Sequence, residues 1–172
     1  MINYIEKGYG LHKAIASANH SLSKVNGKWV SSNDVAVQAI IDSYDPLPDA
    51  KTEAIERINQ EAGLARIKYV TNVPSQNITY QFKLEEAQAF IAAGYPEANI
   101  ANYPFIQAEA TALNGTGKAA ADLIISHYNL WRNLAATIEK ERRKGIVLVN
   151  NETNWQNCKN IADNAITILK SI

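Results

Sequence analysis

The sequence predicts an α+β fold that is mainly α: a small N-terminal β-α-β-β-α module over residues 1–45, followed by an antiparallel helical bundle over residues 46–172. Three observations predict it. Asn26-Gly27, set between two short alternating stretches, is the pair that most readily takes the two positive φ angles of a tight hairpin turn. Beyond residue 48, apolar residues recur at spacings of three and four, the period of helices that bury one face. Between these regions Asp45-Pro46-Leu47-Pro48 interrupts regular structure, because each proline lacks an N–H and holds its predecessor extended.

Within the module, residues 2–6 mix β-branched and aromatic side chains ahead of Gly8 and Gly10, which predicts a first strand ending in a turn. Leu11, Ala14, Ile15 and Ala18 have the spacing of a short amphipathic helix. The hairpin pairs residues 21–25 with residues 28–31. Ser32 or Asn33 then caps a second helix that sets Val37, Ile40, Ile41 and Tyr44 on one side.

Pro48 leads into a helix from Asp49 to about Tyr69, whose seam is Ile55, Ile58, Ala62, Ala65 and Tyr69; Gly63 inside it implies a bend or a close contact. Residues 72–77 read as a polar loop. Tyr80, Leu84, Ala87, Phe90 and Ile91 mark a helix stopped by Gly94, and residues 95–103 read as irregular. Pro104 opens a short helix carrying Ile106, Ala110 and Leu113, which stops at Asn114-Gly115. From Lys118 a long helix carries Ala120, Leu123, His127, Leu130, Trp131, Leu134 and Ile138 on one stripe, running to about Val149 with its end blurred by Gly145. Trp155, Cys158, Ile161, Ala165, Ile168 and Ile172 define the last helix.

Composition narrows the function. Apolar residues are 47% and charged residues 20% of the 172, enough for a real core. Lys plus Arg and Asp plus Glu are each 17, and this zero balance argues against a dedicated nucleic-acid or anionic-membrane binder. The start lacks a signal peptide's basic and apolar regions, and no run of ~18 apolar residues occurs, so a cytoplasmic protein with no membrane partner is expected. The Asn-x-Ser/Thr triplets at Asn19, Asn77 and Asn114 then read as chance matches.

No motif for catalysis stands up. Asn114-Gly-Thr-Gly-Lys118 looks like the end of a phosphate-binding loop, but Ala112 and Ala119 stand where the motif needs Gly and Ser or Thr. His12, His20 and His127 are too scattered for paired metal ligands, so no metal and no cofactor are expected. His127 is expected to pack in or beside the bundle. Cys158, the single cysteine, reads as a small buried apolar residue, Glu85 and Glu86 as a solvated face, and the run Lys140, Arg142, Arg143, Lys144 as an exposed helix end. The aromatic residues are more pointed. Tyr4, Tyr9, Trp29 and Tyr44 crowd a module whose core hides only some of them, so they either fill that core or meet a protein partner.

Three stretches carry a likeness to known proteins. The first is Tyr4-Ile-Glu-Lys-Gly-Tyr-Gly-Leu-His12 with Asn26-Gly-Lys-Trp-Val30 and Val37-Gln-Ala-Ile-Ile-Asp-Ser-Tyr-Asp-Pro-Leu-Pro-Asp-Ala50. The second is Arg66-Ile-Lys-Tyr-Val-Thr71 with Thr79-Tyr-Gln-Phe-Lys-Leu-Glu-Glu-Ala87, and the third is Tyr103-Pro-Phe-Ile-Gln-Ala-Glu-Ala110 with Trp131-Arg-Asn-Leu-Ala-Ala-Thr-Ile-Glu139. With these the chain resembles small tailed-phage and prophage proteins encoded beside tail-fibre genes, although residues 145–149 depart from the Ala-rich helix expected there. The resemblance implies no catalytic residue. It implies a tail-fibre accessory protein, an assembly chaperone or fibre-binding adaptor whose partner is the fibre chain, acting in the bacterial host cytoplasm or in the virion tail. A permanent tail component, a homo-oligomer and a small effector that binds a host protein are the readings beside it.

Overall fold

A computed structural model describes residues 2–69 and 76–172, with backbone alone for Tyr9, Gln76 and Asn77. The elements are α1 (Tyr9–Ser17), β1 (Leu22–Val25), β2 (Lys28–Ser31), α2 (Asp34–Ser43), α3 (Leu47–Ile67), α4 (Gln76–Ala92), a 3₁₀ helix (Glu97–Asn102), α5 (Pro104–Ala112), α6 (Gly117–Asn151) and α7 (Trp155–Ser171). The fold is α+β and mainly α. The loop expected at residues 72–77 falls mostly outside the described residues, and α4 already begins at Gln76.

The chain packs as two compact units. One comprises residues 1–61 and 141–171, the other residues 62–140 with Ile172. Residues 1–45 therefore lie in the same unit as the first part of α3, the last part of α6 and α7.

In the first unit, local sequence sets the hairpin. Asn26 and Gly27 take φ of 50° and 81°, and the antiparallel register pairs Lys24 with Trp29 and Val25 with Lys28. Asn33 caps α2, its Oδ1 accepting from the N–H groups of Val35 and Ala36 at 3.2 and 3.1 Å. The strand expected at residues 2–6 does not form, because β1 and β2 pair only with each other and leave that segment outside the ladder. It is tied down by side chains instead. The Asn3 N–H donates to Gln38 Oε1 at 2.8 Å, and Ile2 joins the core of Leu11, Ile15, Val37 and Ile41. Lys7 Nζ donates to the carbonyls of Ile41 (2.7 Å) and Tyr44 (2.8 Å), so a cation satisfies the exposed carbonyl end of α2.

Farther along the same unit, Lys51 donates to the Asn150 carbonyl and Arg142 to Asn59 Oδ1, which runs α3 and α6 in opposite directions. Arg57 reaches Asp163 at 2.5 Å while Lys170 faces Glu61, so α3 and α7 run the same way. Ala54, Ile58, Val149, Cys158, Ala162 and Leu169 are buried between these helices. At Gly145 the three helices pack tightly, since a Cβ there would stand 3.0 Å from Ala165 Cβ and 3.1 Å from Ile58 Cδ1. Helix α6 accordingly continues through Gly145 to Asn151 without a break. Gly63, by contrast, has no described atom within 4 Å of where a Cβ would go, so of the two readings, a bend or a close contact, the close contact is not seen among the described residues.

The second unit is built on Ala87 and Phe90 of α4, Ile106 and Ala110 of α5, and Ala120 and Ala121 of α6. Phe90 is fully buried, with Tyr95 and Tyr103 edge-on to its ring at 6.1 and 4.9 Å. Gly94, with φ of 76°, ends α4 as expected, and Pro104 occupies the first turn of α5. The segment read as irregular is largely the 3₁₀ helix.

Candidate functional site

Four aromatic residues of the N-terminal module are candidates for partner contact, and the fold treats them differently. The hairpin register turns Trp29 to the same face as Lys24, and Tyr4, on its extended segment, stacks on the indole with centroids 4.0 Å apart. His12, one residue after the buried Leu11 on α1, completes the cluster, its ring 5.8 Å from Tyr4 and 5.9 Å from Trp29. The Tyr4 hydroxyl lies 3.2 Å from His12 Nε2 and donates to Glu6 Oε2 at 3.3 Å. Partial burial, then the Glu6 carboxylate, raises the Tyr4 phenol above its ordinary pKa. Lys24 Nζ hangs 5.8 Å from the Trp29 ring. The cluster is half-buried: one side packs on the module core and the other faces solvent.

Tyr44 is not part of it. Its hydroxyl donates to Asp49 Oδ2 beside Gly10, where no side chain would fit, so it pins the end of α2 to the start of α3. Burial first, then Asp49, holds that phenol far above the usual tyrosine range. The backbone of Tyr9 opens α1, and its side chain lies outside the described residues. Reading the sequence missed His12, whose place is set by contacts between segments far apart in the chain.

A second feature escaped the sequence altogether. Ala87 of α4 and Ala120 and Ala121 of α6 are buried in one core, while Tyr80 of α4 and Tyr128 and Trp131 of α6 line a depression beside it. This open groove, of about 860 Å³, is lined also by Leu84, Glu85, Leu123 and Ile124. His127, expected in or beside the bundle, is exposed on the groove wall, and Leu130 is 69% exposed. On one flank Lys83 pairs with Glu109 at 2.6 Å.

The remaining candidates resolve into structural roles. At the loop that resembles a phosphate site, the Glu97 carboxylate accepts from the N–H groups of Gly117 (2.9 Å) and Lys118 (2.7 Å), and Thr116 Oγ1 accepts from Ala119 N–H. The protein's own anion fills the helix N-terminus. Lys118 Nζ pairs with Asp122 at 2.5 Å. Glu86 is not simply solvated, because it accepts from the Ile106 N–H at 2.8 Å and caps α5. The cationic run lies inside α6, not at its end, so the C-terminal dipole does not act on it. Cys158 is fully buried, and desolvation pushes its thiol up, away from the reactive thiolate.

Among the described residues no group of three or more His, Cys, Asp or Glu could hold a metal ion, and no helix is long and apolar enough to cross a membrane. What these surfaces offer is aromatic contact area with polar tips. No family model, no curated protein and no solved structure matches the chain.

Proposed function

We propose that this protein works by protein–protein contact, as an accessory factor that binds a phage tail-fibre chain and assists its assembly, with the Tyr4–Trp29–His12 face as the contact. One observation carries the contact reading: the Tyr4 and Trp29 rings are already stacked 4.0 Å apart before any partner arrives. Rigid aromatic area lowers the ordering cost of binding, and Tyr and Trp dominate protein interfaces for that reason. The choice of partner rests on the resemblance to proteins encoded beside tail-fibre genes. Fibre chains expose unpaired strand edges before they trimerise, and a protein covering that surface suppresses aggregation.

Co-expression with the adjacent fibre gene tests the reading. A soluble complex or an increased yield of soluble trimeric fibre is expected. Neither outcome appearing would overturn it. Mass spectrometry of purified particles then separates an assembly factor, absent from the finished particle, from a permanent tail component.

A further inference from the structure

We infer that Asn26-Gly27, the turn of the hairpin, is a site of covalent self-modification, at which the folded protein converts Asn26 to aspartate and isoaspartate. The inference rests on the turn and not on the fibre reading.

The reaction needs a carboxamide beside an unshielded backbone nitrogen. Two of the eight glycines follow an asparagine, Gly27 and Gly115, and with no Cβ they leave that nitrogen open to the preceding side chain. The Gly27 nitrogen attacks Asn26 Cγ; a C–N bond forms, and Nδ2 leaves as ammonia with the amide proton. Water then opens the resulting cyclic imide. Opening at the former side-chain carbonyl gives aspartate, whereas opening at the backbone carbonyl gives isoaspartate, with Cβ now part of the main chain.

The fold treats the two sites differently. Both asparagines are exposed and hold positive φ, 50° at Asn26 and 48° at Asn114. At the second, the Gly115 N–H donates to the Ala110 carbonyl at 2.9 Å and the Asn114 N–H to the Thr111 carbonyl at 3.2 Å, so attack there must first break the stop of α5. The Gly27 N–H has no hydrogen-bond partner among the described residues, and no described atom lies within 4 Å of where a Gly27 Cβ would go. Ring closure also requires Asn26 to rotate out of the turn. Only the four residue pairs of β1 and β2 resist that, with no third strand beside them, and an isolated hairpin is a weak restraint. The exposed Lys24 and Lys28 cations, both within two residues of Asn26, favour the deprotonated attacking nitrogen.

Isoaspartate lengthens the turn by one backbone atom. The register that sets Lys24 against Trp29 is then lost, and the indole comes away from Tyr4. The aromatic face therefore carries an age limit written into its own turn.

Peptide mapping of the full chain by mass spectrometry, during incubation at about pH 8 and 37 °C, is the test. The Asn26 peptide should become about 1 Da heavier. It should do so at least ~10-fold faster than the Asn114 peptide, and the two rates should converge in urea, where both are bare Asn-Gly pairs. Amide hydrogen exchange over residues 21–32 should be at least about threefold faster in the aged protein than in fresh protein. Fresh Asn26→Asp, which gains the charge without the extra backbone atom, should exchange like the fresh wild type. No mass change at Asn26, equal rates at the two sites in the folded protein, or a difference that persists in urea overturns the inference. Unchanged exchange in the aged protein, or equally fast exchange in fresh Asn26→Asp, overturns the age limit on the aromatic face.

Discussion

Glu97 shows how much one side chain decides at the residue scale. Read along the chain, Asn114-Gly-Thr-Gly-Lys118 invites a phosphate; in the fold, a carboxylate from 20 residues earlier already holds the amides a phosphate would need. Gly117 is buried, so losing that acceptor strands its N–H. Glu97→Ala is expected to lower stability by about 1–2 kcal/mol in urea denaturation, and Glu97→Gln by less, because its amide oxygen still accepts one bond. Equal stability of all three proteins would show that the cap contributes nothing. The same scale shows what the sequence hid. Trp29 and Tyr4 were legible as residues that either fill the module core or meet a partner, but their stacking, the arrival of His12 and the departure of Tyr44 to Asp49 depend on contacts no local pattern records.

At the scale of elements, legibility followed locality. The Asn26-Gly27 turn, the Asn33 cap, the Gly94 stop and Pro104 in the first turn of α5 were all readable, because each depends on φ or on hydrogen bonds within a few residues. The strand at residues 2–6 was not, since a strand exists only with a partner edge and β2 offers none to it. The two helical glycines make the contrast testable. Gly63→Ala meets no neighbour and should raise stability by roughly 0.5–1 kcal/mol through helix propensity alone. Gly145→Val would drive a branched side chain into Ala165 and Ile58 and should cost about 2 kcal/mol or more. Thermal melts of the two variants should move in opposite directions; a stabilised Gly145→Val would mean that α3, α6 and α7 do not meet there.

For the whole molecule, the class was predictable from apolar spacing, while the grouping of the N-terminal module with the ends of α3 and α6 was not, because it is set by packing among distant segments. The exposed groove was equally hidden: a stripe of Leu123, His127 and Trp131 looks the same whether it packs inward or lines an open groove. Stability against pH is a property of this scale too. The Lys159 ammonium, then Arg57, lowers the Asp163 carboxyl; Lys118 lowers Asp122; the backbone amides of Asn154 and Thr153 lower Glu152. A carboxylate lowered in the folded state stabilises that state above its ordinary value near ~4 and loses the contribution as pH falls through the folded value. The urea midpoint should therefore be flat from about pH 7 to 5 and drop below about pH 4. A midpoint that rises on acidification would contradict these pairings.

The central claim is that the pre-stacked rings at the front of the chain bind protein, and titration calorimetry against the purified fibre chain tests it most directly. Trp29→Ala, and the exposed Lys24→Glu beside the indole, should each weaken binding at least about tenfold, the second with an unchanged melting temperature. Affinity equal to the wild type in both would place any contact elsewhere and contradict the account.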